Sequence, residues 1–383
     1  MLKEKSLAIL EKMKNNIKMS FEEEEISEAH ILGIDEKIII FNCRDKLRIE
    51  ERVMINGIEC MILDNKDKYT AKSYKLLDKK VMNKKLPLLQ LKNYFKSKSM
   101  ERIEKCIKDK IVFHEKIIDY LNDNTEEIEV EVVPVSNCGD ILNSFQQSAV
   151  DYLDNCSSYK IMGPPGTGKT KTVVEMIIKL LSNDKKIIVC APSNTASDNI
   201  LKRFINSDYY KKEKTKFFRL GSQIKGETFY NLENIVEEDL DFLTDEIKKV
   251  KIKKNKKGEE SIYSLLRDKK RRKNKKMNEL QENTKLVFST IFSLNKIVNK
   301  YDYIIIDECY QASELDIILS TTLAHNFILV GDPYQLGPVD EKSLDYKKMK
   351  IPEIMLNEQY RMNELLIEFS NNFFYQNKIK SKK

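Results

Sequence analysis

The chain has 383 residues, of which 41% are hydrophobic and 33% charged, and its formal net charge is +7 at pH 7. This composition is typical of a folded protein of two or three domains and argues against a disordered or membrane-embedded chain. Seven cysteines without a C-x-x-C pair, and only three histidines, argue against a zinc module or a disulfide framework. The charged first ten residues do not match a secretory signal. We therefore expect an intracellular protein, in the nucleus, the cytoplasm or both, that binds no membrane.

The first 125 residues predict a helix, a small β unit and a second helix. Residues 1–21 have the pattern of a charged amphipathic helix. Short apolar runs such as Lys37–Cys43 predict the strands of a small β-barrel-like domain over residues 22–95. Isoleucines recur along one side of residues 96–125, which predicts a second long helix.

From Ile141 onward, apolar strand candidates alternate with helical patterns. Runs such as YIIID and FILVGD are apolar on both faces, as the central strands of a parallel sheet are, and each ends in a polar loop. Ligands bind at the carboxyl ends of the strands in sheets of this kind. The pattern therefore predicts an α/β fold over residues 126–345, with a parallel sheet flanked by helices and a basic helical insertion at about residues 205–285.

A glycine-rich turn reads GPPGTGKT and fits G-x-x-x-x-G-K-[ST] at every fixed position. Its glycines let backbone N–H groups turn inward around phosphate, and the N-terminus of a following helix adds positive partial charge. We expect Lys169 to reach the β- and γ-phosphates and the Thr170 hydroxyl to bind Mg²⁺. The turn thus predicts a nucleoside triphosphate site formed by Gly163, Pro164, Pro165, Gly166, Thr167, Gly168, Lys169 and Thr170.

Two further strand candidates end in acidic or amide side chains. The run YIIIDE brings Asp307 and Glu308 into one loop, where Asp307 is placed to bind Mg²⁺ and Glu308 to orient and deprotonate a water molecule. The run VGDPYQ carries Gln335, which can hydrogen-bond a γ-phosphate. An Asp-Glu pair alone is a weak signal, but downstream of a complete phosphate-binding turn it indicates triphosphate hydrolysis.

Lysine and arginine make up 15 of the 29 residues from Lys248 to Lys276. Such a run is either a solvated insertion, a nucleic-acid contact or a nuclear-localisation signal. We favour the nucleic-acid contact, because clustered basic side chains displace the counterions of a phosphate backbone. The residues expected to make it are Lys269, Lys270, Arg271, Arg272 and Lys273.

Six motifs, in this order along the chain, resemble those of the superfamily-one helicases. The most similar group is the up-frameshift-like branch, with the senataxin and immunoglobulin-mu-binding-protein helicases. The N-terminal helix–β–helix pattern is also similar to the barrel and stalk helices of that branch. The motifs are LNSFQQSAV (142–150), GPPGTGKT (163–170), APSNTASDNI (191–200), DECYQ (307–311), GDPYQLGPV (331–339) and EQYRM (358–362).

The resemblance implies a RecA-like fold and roles for individual residues. Gln146 would recognise adenine, which makes ATP the expected nucleotide, and Tyr360 would stack on the same base. Arg361 would reach the γ-phosphate as an arginine finger. Two motifs would bind the backbone of single-stranded RNA or DNA, through Pro192, Ser193, Asn194 and Asp198 in one and Ser289 and Thr290 in the other.

The resemblance further implies that residues 346–383 begin a second, incomplete RecA-like domain. We therefore expect either a fragment or a short product of an ATP-dependent DNA or RNA helicase with 5′-to-3′ polarity. The alternative is a non-catalytic module that binds ATP and nucleic acid or protein. A small-molecule kinase is the weakest hypothesis, because it explains neither Gln335 nor the EQYRM motif.

Overall fold

A computed structural model describes residues 2–22, 27–35, 38–43, 52–55, 58–64, 68–73, 82–122, 142–221, 271–272, 275–338 and 342–382. Contacts between residues divide the chain into two compact units, Met1–Val112 and Phe113–Lys383. Most of the predicted basic insertion, including Lys269, Lys270 and Lys273, lies outside the described residues.

The first unit contains a closed antiparallel barrel between two helices, α1 (Leu2–Glu22) and α2 (Leu91–Lys108). Alternate apolar side chains of its strands point inward, as the burial of Ile39 and Phe41 in one strand shows. Closure leaves no strand edge unpaired in the described part of the barrel. The strands are β1 (Ser27–Asp35), β2 (Ile38–Asn42), β3 (Arg52–Ile55), β4 (Ile58–Asp64), β5 (Tyr69–Ser73) and β6 (Lys85–Gln90), in the order β1–β2–β5–β4–β3–β6 around the barrel.

The prediction of a single helix over residues 96–125 is wrong, because α2 ends at Lys108. Lys110 adopts a left-handed conformation with φ of 51°. Its N–H donates to the carbonyl of Ile107, and the N–H of Ile111 donates to the carbonyl of Cys106. This pair of hydrogen bonds is a Schellman motif, which satisfies the last carbonyls of a helix and turns the chain away. No glycine or proline marks the stop in the sequence.

The second unit is built around a parallel sheet, which confirms the predicted α/β fold. Within the described residues, the sheet has seven strands in the order β13–β7–β12–β11–β8–β10–β9, and every neighbouring pair is parallel. They are β7 (Tyr159–Met162), β8 (Ile187–Ala191), β9 (Phe217–Leu220), β10 (Leu286–Thr290), β11 (Tyr301–Ile306), β12 (Ala324–Gly331) and β13 (Glu353–Met355).

Helices flank this sheet and cover its apolar faces. Strands β7, β8 and β10 are buried along their whole length, which explains their unbroken apolar runs. A separate two-stranded sheet pairs β14 (Glu358–Gln359) with β15 (Lys380–Ser381). The helices are α3 (Glu115–Leu121), α4 (Ser144–Asp151), α5 (Lys169–Ser182), α6 (Asn194–Ile205), α7 (Asp208–Glu213), α8 (Glu314–Thr321) and α9 (Glu364–Phe374).

The sequence did not predict either of the two outer strands of the sheet. Strand β9 lies within residues 205–285, which were predicted as insertion, and β13 lies beyond the predicted domain boundary at residue 345. The sheet therefore continues past that boundary. In the described part of the chain, no helix is both long and apolar enough to cross a bilayer.

Candidate nucleotide-binding site

The glycine-rich turn connects β7 to α5, and its glycines are required by close packing. Gly168 caps α5 with φ of 84° and Gly166 has φ of 80°, both in the left-handed region. A Cβ at Gly163 would lie 2.3 Å from Cγ of Lys169. One at Gly166 would lie 2.6 Å from Cβ of Arg361. The turn thus wraps tightly around the Lys169 side chain and against the chain segment that carries Arg361.

Lys169 begins α5, so its position is set by the helix and by the loop before it. Its Nζ donates to the carbonyl oxygen of Gly163 at 2.7 Å. The same Nζ lies 3.6 Å from Oε1 of Glu308, at the end of β11. The side chain is largely buried. The structure therefore brings the predicted phosphate-binding lysine and the predicted general base together, as the two motifs required.

Asp307 and Glu308 occupy different environments although they are neighbours. Asp307 is buried, and burial, followed by the negative charge of Glu308, raises its pKa to about 7. The backbone N–H of Glu308 donates to Oδ1 of Asp307 at 3.0 Å. Glu308 itself has φ of 52°, a conformation that costs a non-glycine residue about 1–3 kcal/mol and is common at functional sites.

Gln146 lies directly against the glycine-rich turn. Its side chain completes a capping box with Asn143 at the start of α4. Its Nε2 donates to the carbonyl oxygen of Thr167 at 2.9 Å. A Cβ at Gly168 would lie 2.4 Å from that Nε2, which explains the third glycine of the motif. The residue predicted to recognise adenine is thus part of the turn's immediate surroundings.

Tyr360 and Arg361 follow β14 and contact the same turn. The N–H of Tyr360 donates to the carbonyl of Gly166 at 3.0 Å. Its hydroxyl accepts a hydrogen bond from Nδ2 of Asn143 at 3.0 Å. The N–H of Arg361 donates to Oε1 of Gln359 at 2.9 Å, which fixes the backbone of this segment.

Gln335 follows β12, the strand between β7 and β11. Its Nε2 donates to Oδ2 of the buried Asp332 at 3.0 Å. The carboxyl ends of the three adjacent strands therefore carry, in spatial order, the glycine-rich turn, Gln335 and the Asp307–Glu308 pair.

Several side chains of the predicted nucleic-acid motif after β8 make hydrogen bonds within the protein. Ser193 caps α6 by accepting the N–H of Ala196 at 3.1 Å. The buried Arg219 donates from Nη2 to Oδ1 of Asn194 and from Nε to Oδ1 of Asp198, both at 2.7 Å. Burial raises the pKa of Asp198, and Arg219 opposes that shift.

Sequence reasoning missed Arg219, although an arginine within the apolar run FFRL was a usable signal. A buried guanidinium needs hydrogen-bond acceptors.

The residues of the motif after β8 differ in exposure. Ser193 and Asn194 are exposed and Pro192 is half-buried, whereas Asp198 lies in the interior.

The second predicted nucleic-acid motif is also largely internal. Ser289 is fully buried and its hydroxyl donates to the carbonyl of Thr290, so its side chain is a core group and not a surface contact. Thr290, also buried, donates to Oγ of Ser293 at 2.9 Å. Of the basic cluster, Arg271 and Arg272 are described, and both are exposed on a helix.

A seven-stranded parallel sheet with a glycine-rich phosphate loop after one strand and an acidic pair after another defines a P-loop protein with a RecA-like core. The sequence profile of a family described as an AAA domain matches residues 141–238 and 231–340. A second profile with the same description matches residues 341–383. The chain belongs to this family, within the up-frameshift-like branch of the superfamily-one helicases, as the order of its motifs predicted.

Similar proteins include the DNA polymerase alpha-associated DNA helicase A of Schizosaccharomyces pombe, 31% identical over 272 residues, which cover 62% of this chain and 40% of that protein. The ATP-dependent helicase NAM7 of Saccharomyces cerevisiae is 30% identical over 259 residues, covering 63% of this chain and 26% of that protein. A solved arterivirus nonstructural protein 10 (helicase) is 10% identical, with a TM-score of 0.42 over 92% of this chain and 57% of that one. The chain spans two-fifths or less of the length of these two curated relatives.

Proposed function

We propose that the chain binds ATP with Mg²⁺ and hydrolyses it to move along, or to unwind, nucleic acid, with single-stranded RNA or DNA as its partner. The observation that carries this proposal is the approach of Lys169 Nζ to within 3.6 Å of the Glu308 carboxylate, beside the buried Asp307. This approach supports a phosphate-binding role for Lys169 and a role as base for Glu308, which lie at the same edge of the sheet. The relatives named as helicases support the same activity. The 5′-to-3′ polarity is the one that the resemblance to this branch predicts.

The residues around the turn divide the work of hydrolysis. Lys169 and the N-terminus of α5 stabilise phosphate charge, and Arg361 adds to this from the segment after β14. Glu308 orients the attacking water and accepts its proton. Gln335 hydrogen-bonds the γ-phosphate. Together these roles amount to positioning and charge stabilisation, which is what phosphoryl transfer requires from a protein.

The surroundings of Asp307 fit a magnesium ion. Burial and the charge of Glu308 disfavour its anionic form, as the raised pKa of about 7 indicates. A divalent cation would stabilise that anion. Asp307 and the hydroxyl of Thr170 would hold the ion, which supplies neutralising charge to the phosphates.

The nucleic-acid surface is proposed to lie at the ends of β8 and β10, which are neighbours in the sheet. Pro192, Ser193 and Asn194 leave backbone and side-chain groups at this edge exposed or half-exposed. The basic cluster, with Arg271 and Arg272 exposed, supports an electrostatic contribution from the insertion.

ATP turnover by the purified chain, with and without Mg²⁺, tests the proposal. Binding of 20-nucleotide oligo(dT) and oligo(U) at several salt concentrations should be measured on the same preparation. We expect turnover that requires Mg²⁺ and binding that weakens as salt rises. ATP binding without any turnover would instead support the non-catalytic module.

A further inference from the structure

Tyr375 reaches the loop of Gln335 from a distant part of the chain. It directly follows α9, and its hydroxyl donates to Oδ2 of Asp332 at 2.8 Å. Both Tyr375 and Asp332 are buried. Burial, followed by this bond to Asp332, raises the pKa of Tyr375, so its hydroxyl remains a donor. No motif in the sequence points to this contact.

The carboxylate of Asp332 is the centre of a small network. Oδ1 accepts the backbone N–H of Tyr334 at 3.1 Å. Oδ2 accepts both Nε2 of Gln335, at 3.0 Å, and the hydroxyl of Tyr375. Because one oxygen serves both side chains, the orientation of Gln335 depends on how Tyr375 holds that oxygen.

The Tyr375 ring is held by contacts that do not involve its hydroxyl. It packs with Met162, Ile367 and Ile379 in one apolar cluster. Its N–H donates to the carbonyl of Asn371 at 3.2 Å. These contacts predict that replacement by phenylalanine leaves the ring in place and removes one hydrogen bond.

The segment that holds Tyr375 is also the segment that carries Arg361. Strand β14 is followed by Tyr360, Arg361 and then α9. The chain returns through Tyr375 to β15, which pairs with β14. The amide of Asn371 closes this return by bonding both the N–H and the carbonyl of Ile379. The Tyr375 hydroxyl therefore joins the Gln335 loop to the structural element of the arginine finger.

We propose that Tyr375 is a positioning residue for Gln335, acting through Asp332, and that it links recognition of the γ-phosphate to the segment of Arg361. This inference rests on the proposed function, in which Gln335 contacts the γ-phosphate. Without the hydroxyl, Oδ2 of Asp332 keeps a single side-chain donor, and the glutamine amide loses its fixed orientation. The loss affects recognition of the γ-phosphate and leaves the contacts to the rest of the nucleotide intact.

Equilibrium binding of ADP and of a non-hydrolysable ATP analogue tests this inference without requiring turnover. The variants are Tyr375→Phe, Gln335→Ala and the double variant. We expect Tyr375→Phe to reduce the preference for the triphosphate over ADP about tenfold, the size of one lost hydrogen bond, with ADP affinity unchanged. In the Gln335→Ala background, Tyr375→Phe should have no further effect.

Tyr346→Phe is the matched control, because its hydroxyl donates to Glu353 at 2.7 Å in the same unit. It should leave the triphosphate preference unchanged. Additive effects of Tyr375→Phe and Gln335→Ala, or an unchanged preference in Tyr375→Phe, would overturn the inference. If the wild-type chain binds no nucleotide at all, the proposed function fails; if it binds both nucleotides equally, the role of Gln335 fails and this inference with it.

Discussion

The polar groups after β7 and β11 are arranged differently from those after β8 and β10. At the first pair of strand ends, Lys169 and Glu308 come within 3.6 Å of each other while Glu308 retains partial exposure. At the second pair, Asp198 is paired with the buried Arg219, and Ser289 is fully buried. One edge of the sheet thus holds both an acid–lysine pair whose acid is partly exposed and groups that stabilise the fold.

This difference teaches that a polar residue at a strand end indicates a ligand contact only when its local partners leave it available. The buried Arg219 donates hydrogen bonds to Asp198 and Asn194, so these two motif residues help to stabilise the fold. Substitutions at the two places should therefore change different quantities: turnover or affinity at the first, and stability at the second.

The largest effect is expected at Glu308. Replacing it with glutamine removes the proposed base but keeps the shape of the side chain, so ATP should still bind while turnover falls about 10²–10⁴-fold. Steady-state hydrolysis and nucleotide affinity should be measured together. Glu279→Gln is the control, because Glu279 lies exposed on a helix and its carboxylate is 3.8 Å from Lys275. Turnover at the wild-type rate in Glu308→Gln would show that another group is the base.

A large effect on stability is expected from Arg219→Met. It leaves Asp198 buried without its cation, which typically costs about 3–5 kcal/mol of unfolding free energy. Chemical denaturation should be compared with that of Lys211→Ala, which breaks the exposed pair with Asp208 and should cost at most about 1 kcal/mol. Equal stability of the two variants would mean that the Arg219 network is not structural.

Gly168→Ala should have an intermediate effect on nucleotide affinity. The new Cβ would meet Nε2 of Gln146 at 2.4 Å, and φ of 84° is unfavourable for alanine by about 1–2 kcal/mol. We expect affinity for ATP to fall about tenfold or more. Gly337→Ala is the control, because its nearest neighbour, Cβ of Ser343, lies at 3.6 Å, an ordinary contact. Titration of both variants with ATP measures their affinities. Equal affinities would mean that the turn tolerates a Cβ at Gly168.

The smallest effect is expected from neutralising Lys269, Lys270, Arg271, Arg272 and Lys273. Each lost phosphate contact should flatten the log–log salt dependence of single-strand binding by about 0.7, for all base sequences alike. Binding of oligo(dT) and oligo(U) over a range of salt concentrations measures this slope. A slope identical to that of the wild type would mean that the segment is a solvated insertion or a localisation signal.

The sequence predicted the strand, turn and helix around the glycine-rich motif because these elements are adjacent in the chain. The glycine-rich turn is contained within eight residues, and its helix and strand are adjacent to it in the chain. The acidic pair could be placed because apolar runs such as that of β11 recur in parallel sheets. Arrangements of residues that are close together in the chain can thus be predicted from the sequence.

Long-range contacts could not be derived in this way. Arg219 meets Asp198 across 21 residues, and Tyr375 meets Asp332 across 43. The outer strands β9 and β13 have only four and three residues, and their place depends on their neighbours in the sheet. The end of α2 depends on the left-handed conformation of Lys110, a residue type that carries no such signal.

The most direct test of the central claim, that the turn after β7 binds ATP through Lys169, is the affinity of Lys169→Ala for ATP. Lys179→Ala is the matched control, because Lys179 lies on the same helix and pairs with Asp151 and Asp154 at the surface. Affinity and melting temperature should be measured on both variants and on the wild type. We expect Lys169→Ala to lose ATP binding while remaining folded, and Lys179→Ala to bind as the wild type does. Unchanged ATP affinity in Lys169→Ala would contradict the claim.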